Sequence, residues 1–325
     1  MKATARAHPI QGLVKYHGMR DDGRRLPYHD SISVCTAPAE TTTTAAFDES
    51  LSGDRYVVDG EPVAGRGAER IDAVVDAVRE RADVDRPVRL ESTNSFPTNV
   101  GLGSSSSGFA AAAMALVEAA GLDLDRPAVS AIARRGSASA ARAVTGDFSV
   151  LRAGLNDDDC RAERVPVDQG LAEDLRVVVG LVPKYKETEA AHAEAEASHM
   201  FDARLAHVHA QLGEMRDALR AGEFDRAFGV AERDTLSLAA TTMTGPSAWV
   251  YWQPRTLAIF EAVRDLREDG VPVYFSVDTG ATVYVNTRAA HVDRVEAAVD
   301  ACEVETRVWE VGGPARILEE SEALF

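Results

Sequence analysis

The residues with the clearest chemical potential form a loop rich in glycine and serine in the first third of the chain. Residues 95–108 read SFPTNVGLGSSSSG, and an alanine-rich apolar run follows at once. A helix N-terminus offers unpaired backbone N–H groups to an anion, and glycines allow close approach. A flexible linker has a similar composition but would not lead directly into an apolar helix. Phosphate binding is therefore predicted for Pro97, Gly101, Leu102, Gly103, Ser104, Ser105, Ser106 and Ser107.

Lys15 is a second candidate because lysine is scarce in this chain. Only four of the 35 Lys and Arg residues are lysine, at positions 2, 15, 184 and 186. Lys15 follows the apolar residues Leu13 and Val14 and does not stand in a charged run. A lysine in apolar surroundings favours a functional role, and a structural ion pair is the alternative.

A clamp for an anion is predicted in residues 133–142, ARRGSASAAR. Ser139 and Arg142 are three residues apart on a predicted helix and share one face, with Ser137 close by. Two hydroxyls and a guanidinium suit a carboxylate or a phosphate. For this segment taken alone, a surface arginine on an alanine-rich helix is the alternative.

Asp278 ends a predicted apolar strand over residues 271–277 and precedes a turn at Gly280. A carboxylate at such a place can project into a cleft, although an aspartate there also caps turns. The aromatic residues of the stretch 244–254, TGPSAWVYWQP, are predicted to belong to the core.

These segments resemble, in the same order, the mevalonate diphosphate decarboxylase branch of the GHMP kinase superfamily. Residues 97–106 resemble its phosphate loop, Pro-x-x-x-Gly-Leu-Gly-Ser-Ser-Ser, and lack the Walker pattern GxxxxGK[ST]. Residues 15–21, KYHGMRD, are similar to Lys-Tyr-Trp-Gly-Lys-Arg-Asp, and residues 26–33, LPYHDSIS, to Leu-Pro-x-Asn-x-Ser-x-Ser. Residues 133–142 resemble Ala-Arg-x-Gly-Ser-Gly-Ser-Ala-x-Arg. Residues 275–284, FSVDTGATVY, resemble Phe-Asp-Ala-Gly-Pro-Asn, with Thr282 in place of the Asn.

The resemblance implies an α+β chain with the two-domain GHMP-kinase fold. An N-terminal ATP-binding α/β domain with a left-handed βαβ crossover is expected over residues 1–175, and a C-terminal ferredoxin-like α+β domain over residues 176–325. ATP as co-substrate, Mg²⁺ and a homodimer are also implied. Asp278 would position or deprotonate the substrate's 3-hydroxyl, Lys15 would pair with Asp278 and the transferring phosphoryl, and Arg142 would hold the substrate carboxylate. The implied substrate-binding residues are Tyr16, Ser137, Ser139, Arg142 and Thr188.

Departures from the family pattern bear on which phosphorylated mevalonate is the substrate. Met19 replaces a lysine, and Glu187 and Thr188 stand where the family has an Arg or Ser that helps hold a terminal diphosphate. Losing cations and gaining a carboxylate weakens binding of a diphosphate more than of a monophosphate. The chain thus resembles the archaeal phosphomevalonate decarboxylases, which convert (R)-5-phosphomevalonate to isopentenyl phosphate. A diphosphate substrate, a kinase that does not decarboxylate, and a ligand sensor without catalysis are the alternatives.

Composition excludes several classes of partner. The formal net charge of -17 argues against nucleic acid and an anionic membrane surface as partners. No apolar run approaches the roughly 20 residues of a membrane span, and the first residues contain no signal-peptide core, so a cytoplasmic protein is expected. Three scattered cysteines argue against a disulfide framework and a clustered zinc site. An acidic surface with little lysine is typical of a protein kept soluble in high salt.

Apolar spacing and turn residues predict the elements that must position these residues. Ile71, Val74, Val75 and Val78 recur at helical spacing. Helices are predicted over about 67–82, 109–121, 126–144, 187–221, 223–240 and 253–268, with a last one from about 291. Strands are predicted within 8–35 and 54–64, and over 88–91, 175–182 and 271–277.

Overall fold

The computed structural model of the chain describes residues 2–98, 101–183 and 188–325, with the backbone alone for residues 188–190. Glu187 and the side chain of Thr188, both assigned to the substrate site, therefore lie outside the described residues. The described strands are β1 (Lys2–Ala7), β2 (Ile10–Val14), β3 (Met19–Asp21), β4 (Leu26–Pro27), β5 (Ser31–Ala37), β6 (Thr41–Phe47), β7 (Arg55–Val58), β8 (Glu61–Pro62), β9 (Val88–Asn94), β10 (Phe148–Leu151), β11 (Ala162–Arg164), β12 (Leu175–Leu181), β13 (Val273–Ser276), β14 (Val283–Arg288), β15 (Glu305–Val311) and β16 (Arg316–Ile317). The described α-helices are α1 (Arg66–Ala82), α2 (Ser104–Ala119), α3 (Arg126–Gly136), α4 (Ala138–Thr145), α5 (Gln169–Asp174), α6 (Thr188–Glu196), α7 (Phe201–Ala221), α8 (Phe224–Met243), α9 (Pro254–Glu268) and α10 (Val292–Asp300).

Two large sheets carry the fold, and the predicted α+β class is confirmed. The first has six strands in the order β16-β1-β6-β9-β7-β8. Its strands β7 and β9 pair in parallel and are joined by α1, which forms a βαβ unit. The second has eight strands, in the order β11-β10-β5-β15-β12-β14-β13 with β2 beside β5.

The second sheet runs across the predicted domain boundary at residue 175. Strand β5 pairs with β15 through Ala37–Glu310 and Thr36–Val311, so strands from both halves of the chain form one sheet. In the first sheet, β1 likewise pairs with the late strand β16. The division into domains 1–175 and 176–325 stays a prediction.

Helix α1 follows its apolar spacing closely. Ile71, Val74, Val75 and Val78 are all buried, as an amphipathic helix on a sheet requires. Helix α2 instead buries alanines on several sides, because it lies between the first sheet and helices α3 and α4.

Two predicted long helices are each broken in the structure. The helix predicted over 126–144 divides into α3 and α4 at Ser137, which is extended (φ −159°, ψ 127°). A Cβ at the neighbouring Gly136 would overlap the Phe109 ring, so close packing against α2 takes place where the helix divides. The helix predicted over 187–221 divides into α6 and α7, and between them the Met200 N–H donates to Ser198 Oγ (3.1 Å). Serine side chains that bond the backbone in this way compete with helix continuation.

Among the described residues, no helix has both the length and the apolar character that a membrane crossing requires.

Gly146 provides a test of the contact between α4 and the C-terminal segment. It has φ +75°, and an added Cβ would overlap backbone atoms of Gly313 and Pro314. Gly60 has φ +84° but open space around it, which makes it a control for a positive φ without the overlap. We expect Gly60→Ala to cost about 1 kcal/mol of unfolding free energy, and Gly146→Ala about 2 kcal/mol more, because rigid backbone must move. Denaturant unfolding measures both, and equal losses would contradict this account.

Candidate active site

The predicted phosphate loop leads directly into the N-terminus of α2. Gly101 and the N-cap residue Gly103 have left-handed backbone conformations, with φ +86° and +73°. A Cβ at Gly103 would lie 3.2 Å from the Ile10 carbonyl oxygen, so glycine lets the loop rest against β2. In the described residues no side chain caps α2, and the N–H groups at the start of a helix can bind an anion.

The serines of the loop divide into two pairs. Ser106 and Ser107 are buried: the Ile10 N–H donates to Ser106 Oγ (3.2 Å), and Ser107 Oγ bonds Thr41 Oγ1 (2.7 Å). Their hydroxyls anchor the helix start to the two sheets. Ser104 is half-buried and Ser105 is exposed, so these two hydroxyls are the accessible ones. Pro97 is exposed and Leu102 is buried, and the ATP contacts of all these residues stay predictions.

Lys15 lies in a buried network of charges just after β2. Its side chain is 5% exposed, and Nζ donates to Thr235 Oγ1 (3.1 Å) and Asp234 Oδ2 (3.4 Å). The Lys15 backbone N–H also donates to Asp234 Oδ2 (3.0 Å). Arg204 Nη2 donates to Asp234 Oδ1 (3.0 Å) and to the Lys15 carbonyl oxygen (2.7 Å).

Burial and charge oppose each other in this network. Burial lowers the pKa of Lys15, while the negative charges of Asp234 and Asp278 act to raise it. For Asp234, burial acts to raise the pKa, but Arg204 and Lys15 outweigh it and leave the pKa below its usual value. Asp234 is therefore an ionised carboxylate, fully enclosed by its partners.

Asp278 follows β13 and lies beside Lys15. It is half-buried, and its Oδ1 accepts a hydrogen bond from the Gly12 N–H (3.2 Å). A Cβ at Gly12 would lie 2.7 Å from Lys15 Cγ and 2.8 Å from Asp278 Oδ1, so both side chains come together over this glycine. Nearby, Trp249 and Tyr251 line a pocket that also includes Asp278, although the sequence analysis assigned these aromatics to the core.

Arg142 is a buried cation without a carboxylate partner among the described residues. It is 2% exposed, Nη1 donates to Ser31 Oγ (2.5 Å), and Nη2 reaches Ser139 Oγ (3.4 Å). Its Nε is buried with no hydrogen-bond partner in the described part of the chain. A buried guanidinium with spare donors is suited to an anion brought by a ligand.

Two of the predicted substrate residues, Tyr16 and Ser139, contact Arg142. Tyr16 lies under its guanidinium, with Cζ 5.4 Å from the ring centroid, and the Tyr16 hydroxyl bonds Ser139 Oγ (3.3 Å). Ser137 is buried at the break between α3 and α4. Thr188 begins α6, and its side chain is outside the described residues.

Asp234, Thr235 and Arg204 also belong to this site but were not predicted from the sequence. Asp234 and Thr235 are on the buried face of α8, and Arg204 is on the buried face of α7. A charged residue in register with the apolar positions of a helix was a readable signal, because such charges are buried only when paired.

Comparisons with known proteins show similarity to one family of decarboxylases. Residues 7–162 match the family model described as diphosphomevalonate decarboxylase-like N-terminal domain. A phosphomevalonate decarboxylase of Haloferax volcanii is 70% identical over 326 residues, covering 100% of both chains.

Solved structures of other proteins resemble this fold over nearly the whole chain. A mevalonate diphosphate decarboxylase from Staphylococcus aureus has a TM-score of 0.93 at 27% identity, covering 98% of each chain. The structure of MDDEF in complex with MVAPP, AMPPCP and magnesium has a TM-score of 0.92 at 28% identity, covering 98% of this chain and 99% of that one. The predicted fold is confirmed by this likeness.

Gly12 provides a test of the geometry of this site. Gly12→Ala is expected to push Lys15 away from Asp278 and to lower the predicted ATP-dependent turnover about 100-fold, because small misplacements of reacting groups are costly. The fold should survive, since the clashing atoms belong to side chains. Gly213→Ala, at a helix position with open space, is the control and should keep full turnover. Unchanged turnover in Gly12→Ala would show that the close approach is dispensable.

Proposed function

The chain belongs to the family of phosphomevalonate and diphosphomevalonate decarboxylases, and we propose that it decarboxylates (R)-5-phosphomevalonate to isopentenyl phosphate with ATP. The observation that carries the proposal is the grouping of a half-buried carboxylate, Asp278, with two buried cations, Lys15 and Arg142. Decarboxylation through a phosphorylated alcohol needs a group to accept a proton and cations for a phosphoryl and a carboxylate.

The first chemical step transfers a phosphoryl group to a poor leaving group. Asp278 positions the 3-hydroxyl and accepts its proton as the oxygen attacks the γ-phosphorus of ATP, and ADP leaves. Lys15 stabilises the negative charge on the transferring phosphoryl. The first-turn N–H groups of α2 hold the nucleotide phosphates.

The second step breaks two bonds. The C1–C2 bond of the substrate breaks, and its electron pair forms the C2–C3 double bond as carbon dioxide leaves. The C3–O bond breaks at the same time, and the 3-phosphate departs with that electron pair. Arg142, supported by Ser137 and Ser139, holds the carboxylate in the orientation needed for this loss.

Magnesium fits this site as a companion of the nucleotide. Among the described residues there is no group of three His, Cys, Asp or Glu side chains that could hold a metal on its own. Mg²⁺ commonly binds through substrate phosphates, a few protein oxygens and water. The accessible hydroxyls of Ser104 and Ser105 are the loop's available oxygens, and the ion would neutralise charge on the ATP phosphates.

Two observations support the monophosphate as substrate. The relative from Haloferax volcanii, 70% identical over its full length, is a phosphomevalonate decarboxylase. Met19, where the family has a lysine, is buried in an apolar cluster, and its N–H donates to the Glu196 carboxylate (2.7 Å). A carboxylate and a methionine at this position give a second phosphate no cation to bind.

The expected homodimer, cytoplasmic location and adaptation to high salt belong to the same proposal. The net charge of -17 supports an acidic surface that stays hydrated in salt. The same charge supports the expectation that neither nucleic acid nor an anionic membrane is a partner.

The proposed reaction is tested by following ADP and carbon dioxide separately. The purified protein is incubated in high salt with ATP, magnesium and either mevalonate 5-phosphate or its 5-diphosphate. We expect equal amounts of ADP and carbon dioxide with the monophosphate, and little of either with the diphosphate. Turnover of the diphosphate alone would support the alternative substrate, and ADP without carbon dioxide would make the protein a kinase.

Arg142 provides a test of the carboxylate site. Arg142→Gln should lower kcat/KM for mevalonate 5-phosphate about 100-fold or more, since the substrate carboxylate loses its buried partner, while KM for ATP changes little. Arg126→Gln is the control, because Arg126 bonds only backbone oxygens, of Val144 (3.2 Å) and Ala315 (2.6 Å), in the described residues. If Arg142→Gln weakened the use of ATP as much as the use of mevalonate 5-phosphate, the assigned role would be contradicted.

A further inference from the structure

We propose that Asp234 is the positioning residue for Lys15, holding the ammonium charged and in place beside Asp278. The inference deepens the proposed function and rests on it, because it concerns how Lys15 is made ready to act. Asp234 is fully buried, at 0% exposure, and it meets Lys15 through both the backbone N–H and Nζ.

Burial keeps Asp234 out of reach of a substrate, since it is 0% exposed and both of its oxygens face neighbouring side chains. Its Oδ1 accepts from Arg204, and its Oδ2 accepts both hydrogen bonds from Lys15. Asp278, in contrast, is half-buried, and its Oδ1 accepts the Gly12 N–H. Asp234 therefore acts through Lys15, and the proposed contact with the substrate belongs to Asp278.

The direction of the Lys15 side chain is fixed from two adjacent residues of α8. Thr235 Oγ1 accepts from Lys15 Nζ at 3.1 Å and itself donates to the Ala231 carbonyl oxygen (3.0 Å), which fixes its rotamer. Asp234 Oδ2 accepts a hydrogen bond from the backbone N–H of Lys15, which fixes the base of the lysine side chain. One turn of a helix thus determines both ends of the Lys15 side chain.

The charge of Lys15 depends on three groups that face it from different elements. Asp234 faces it from α8, Arg204 from α7, and Asp278 from the segment after β13. Without Asp234, two buried cations would share only the half-buried Asp278. Lysine would then give up its proton at a lower pH, because arginine stays charged in proteins. A neutral lysine could not stabilise a phosphoryl group.

Buried histidines nearby do not complicate a pH study. His29 lies within the influence of Asp234 and Arg204, but burial lowers its pKa to about 4. Burial also lowers the pKa of His17 well below its usual value. Both rings are neutral at the pH values where Lys15 would titrate.

The scarcity of lysine makes a direct measurement possible. Labelling lysine at Nζ and Cε gives signals from four residues, and the Lys15 signal is identified by its loss in Lys15→Arg. In Asp234→Asn we expect the pKa of Lys15 to fall by about 1 to 3 units, the usual effect of one close opposite charge. An unchanged Lys15 titration would overturn the proposal. This measurement needs no substrate, so it decides on Asp234 even if the decarboxylase assay fails.

Glu232→Gln is the matched control. Glu232 is on the same helix and pairs with Arg267 (2.6 Å), and it accepts the Phe275 N–H (3.1 Å). Loss of this pair should lower stability and leave the Lys15 titration unchanged. A shift equal to that of Asp234→Asn would mean that any damage to α8 moves Lys15, which overturns the specific role.

The pH dependence of kcat/KM provides the functional readout. As the pKa of Lys15 falls, its ammonium is lost at lower pH, so the alkaline limb should move to lower pH in Asp234→Asn. A purely structural defect would reduce activity by the same factor at every pH, and that result would count against the proposal.

If Asp234→Asn does not fold, the Lys15 titration is measured in Arg204→Gln instead. Arg204 is a cation that acts to lower the pKa of Lys15, so its removal should raise that pKa. The two variants therefore shift the titration in opposite directions. A lowered or unchanged pKa in Arg204→Gln would contradict the network as described.

Discussion

Lys15 loses nearly all contact with water when the chain folds, and residues far away in sequence compensate for that loss. Asp234 is 219 positions away and Arg204 is 189 away, yet both bond directly to Lys15. A buried ion pair adds little net stability, because removing two charges from water costs about as much as their attraction returns. What the network provides is position, since a buried charge is tolerated only where its partners are. Helices α7 and α8 are thereby fixed against the end of β2.

Strand β2 connects this network to the rest of the site. The Ile10 N–H bonds Ser106 at the start of α2, the Gly12 N–H bonds Asp278, and the Lys15 N–H bonds Asp234. The five residue steps from Ile10 to Lys15 cover at most about 17 Å of extended chain. Because β2 pairs with β5 in a sheet built from both halves of the chain, these three contacts are held on one rigid support.

Local pattern was enough to predict that the glycine-rich loop runs into a helix, and to predict helix α1 and the placement of Asp278 after a strand. Each depends on a few neighbouring residues: glycines before an apolar helix, apolar positions at helical spacing, and an acid at a strand end. The break at Ser137 could not be read in this way, because it accompanies the packing of Gly136 against Phe109 on another helix. The Lys15 network could not be predicted from local pattern either, since its members come from the end of β2, from α7 and from α8. Only a charge on an otherwise apolar helix face indicated that such a network exists.

The two carboxylates near Lys15 show why residue type alone does not assign a role. Asp234 is enclosed, and Arg204 and Lys15 hold its pKa below the usual value, so it can neither receive a proton from a substrate nor contact one. Asp278 is only half-buried, beside the same lysine. Arg142 shows the complementary condition, because it is buried with spare donors and no carboxylate partner in the described residues. The burial and partners of each charged group, and not its residue type, therefore separate these cases: Lys15 and Asp234 pair with each other, whereas the buried Nε of Arg142 has no hydrogen-bond partner in the described residues. In the proposed reaction, the anion of the ligand would meet Arg142 and the reacting hydroxyl would meet Asp278.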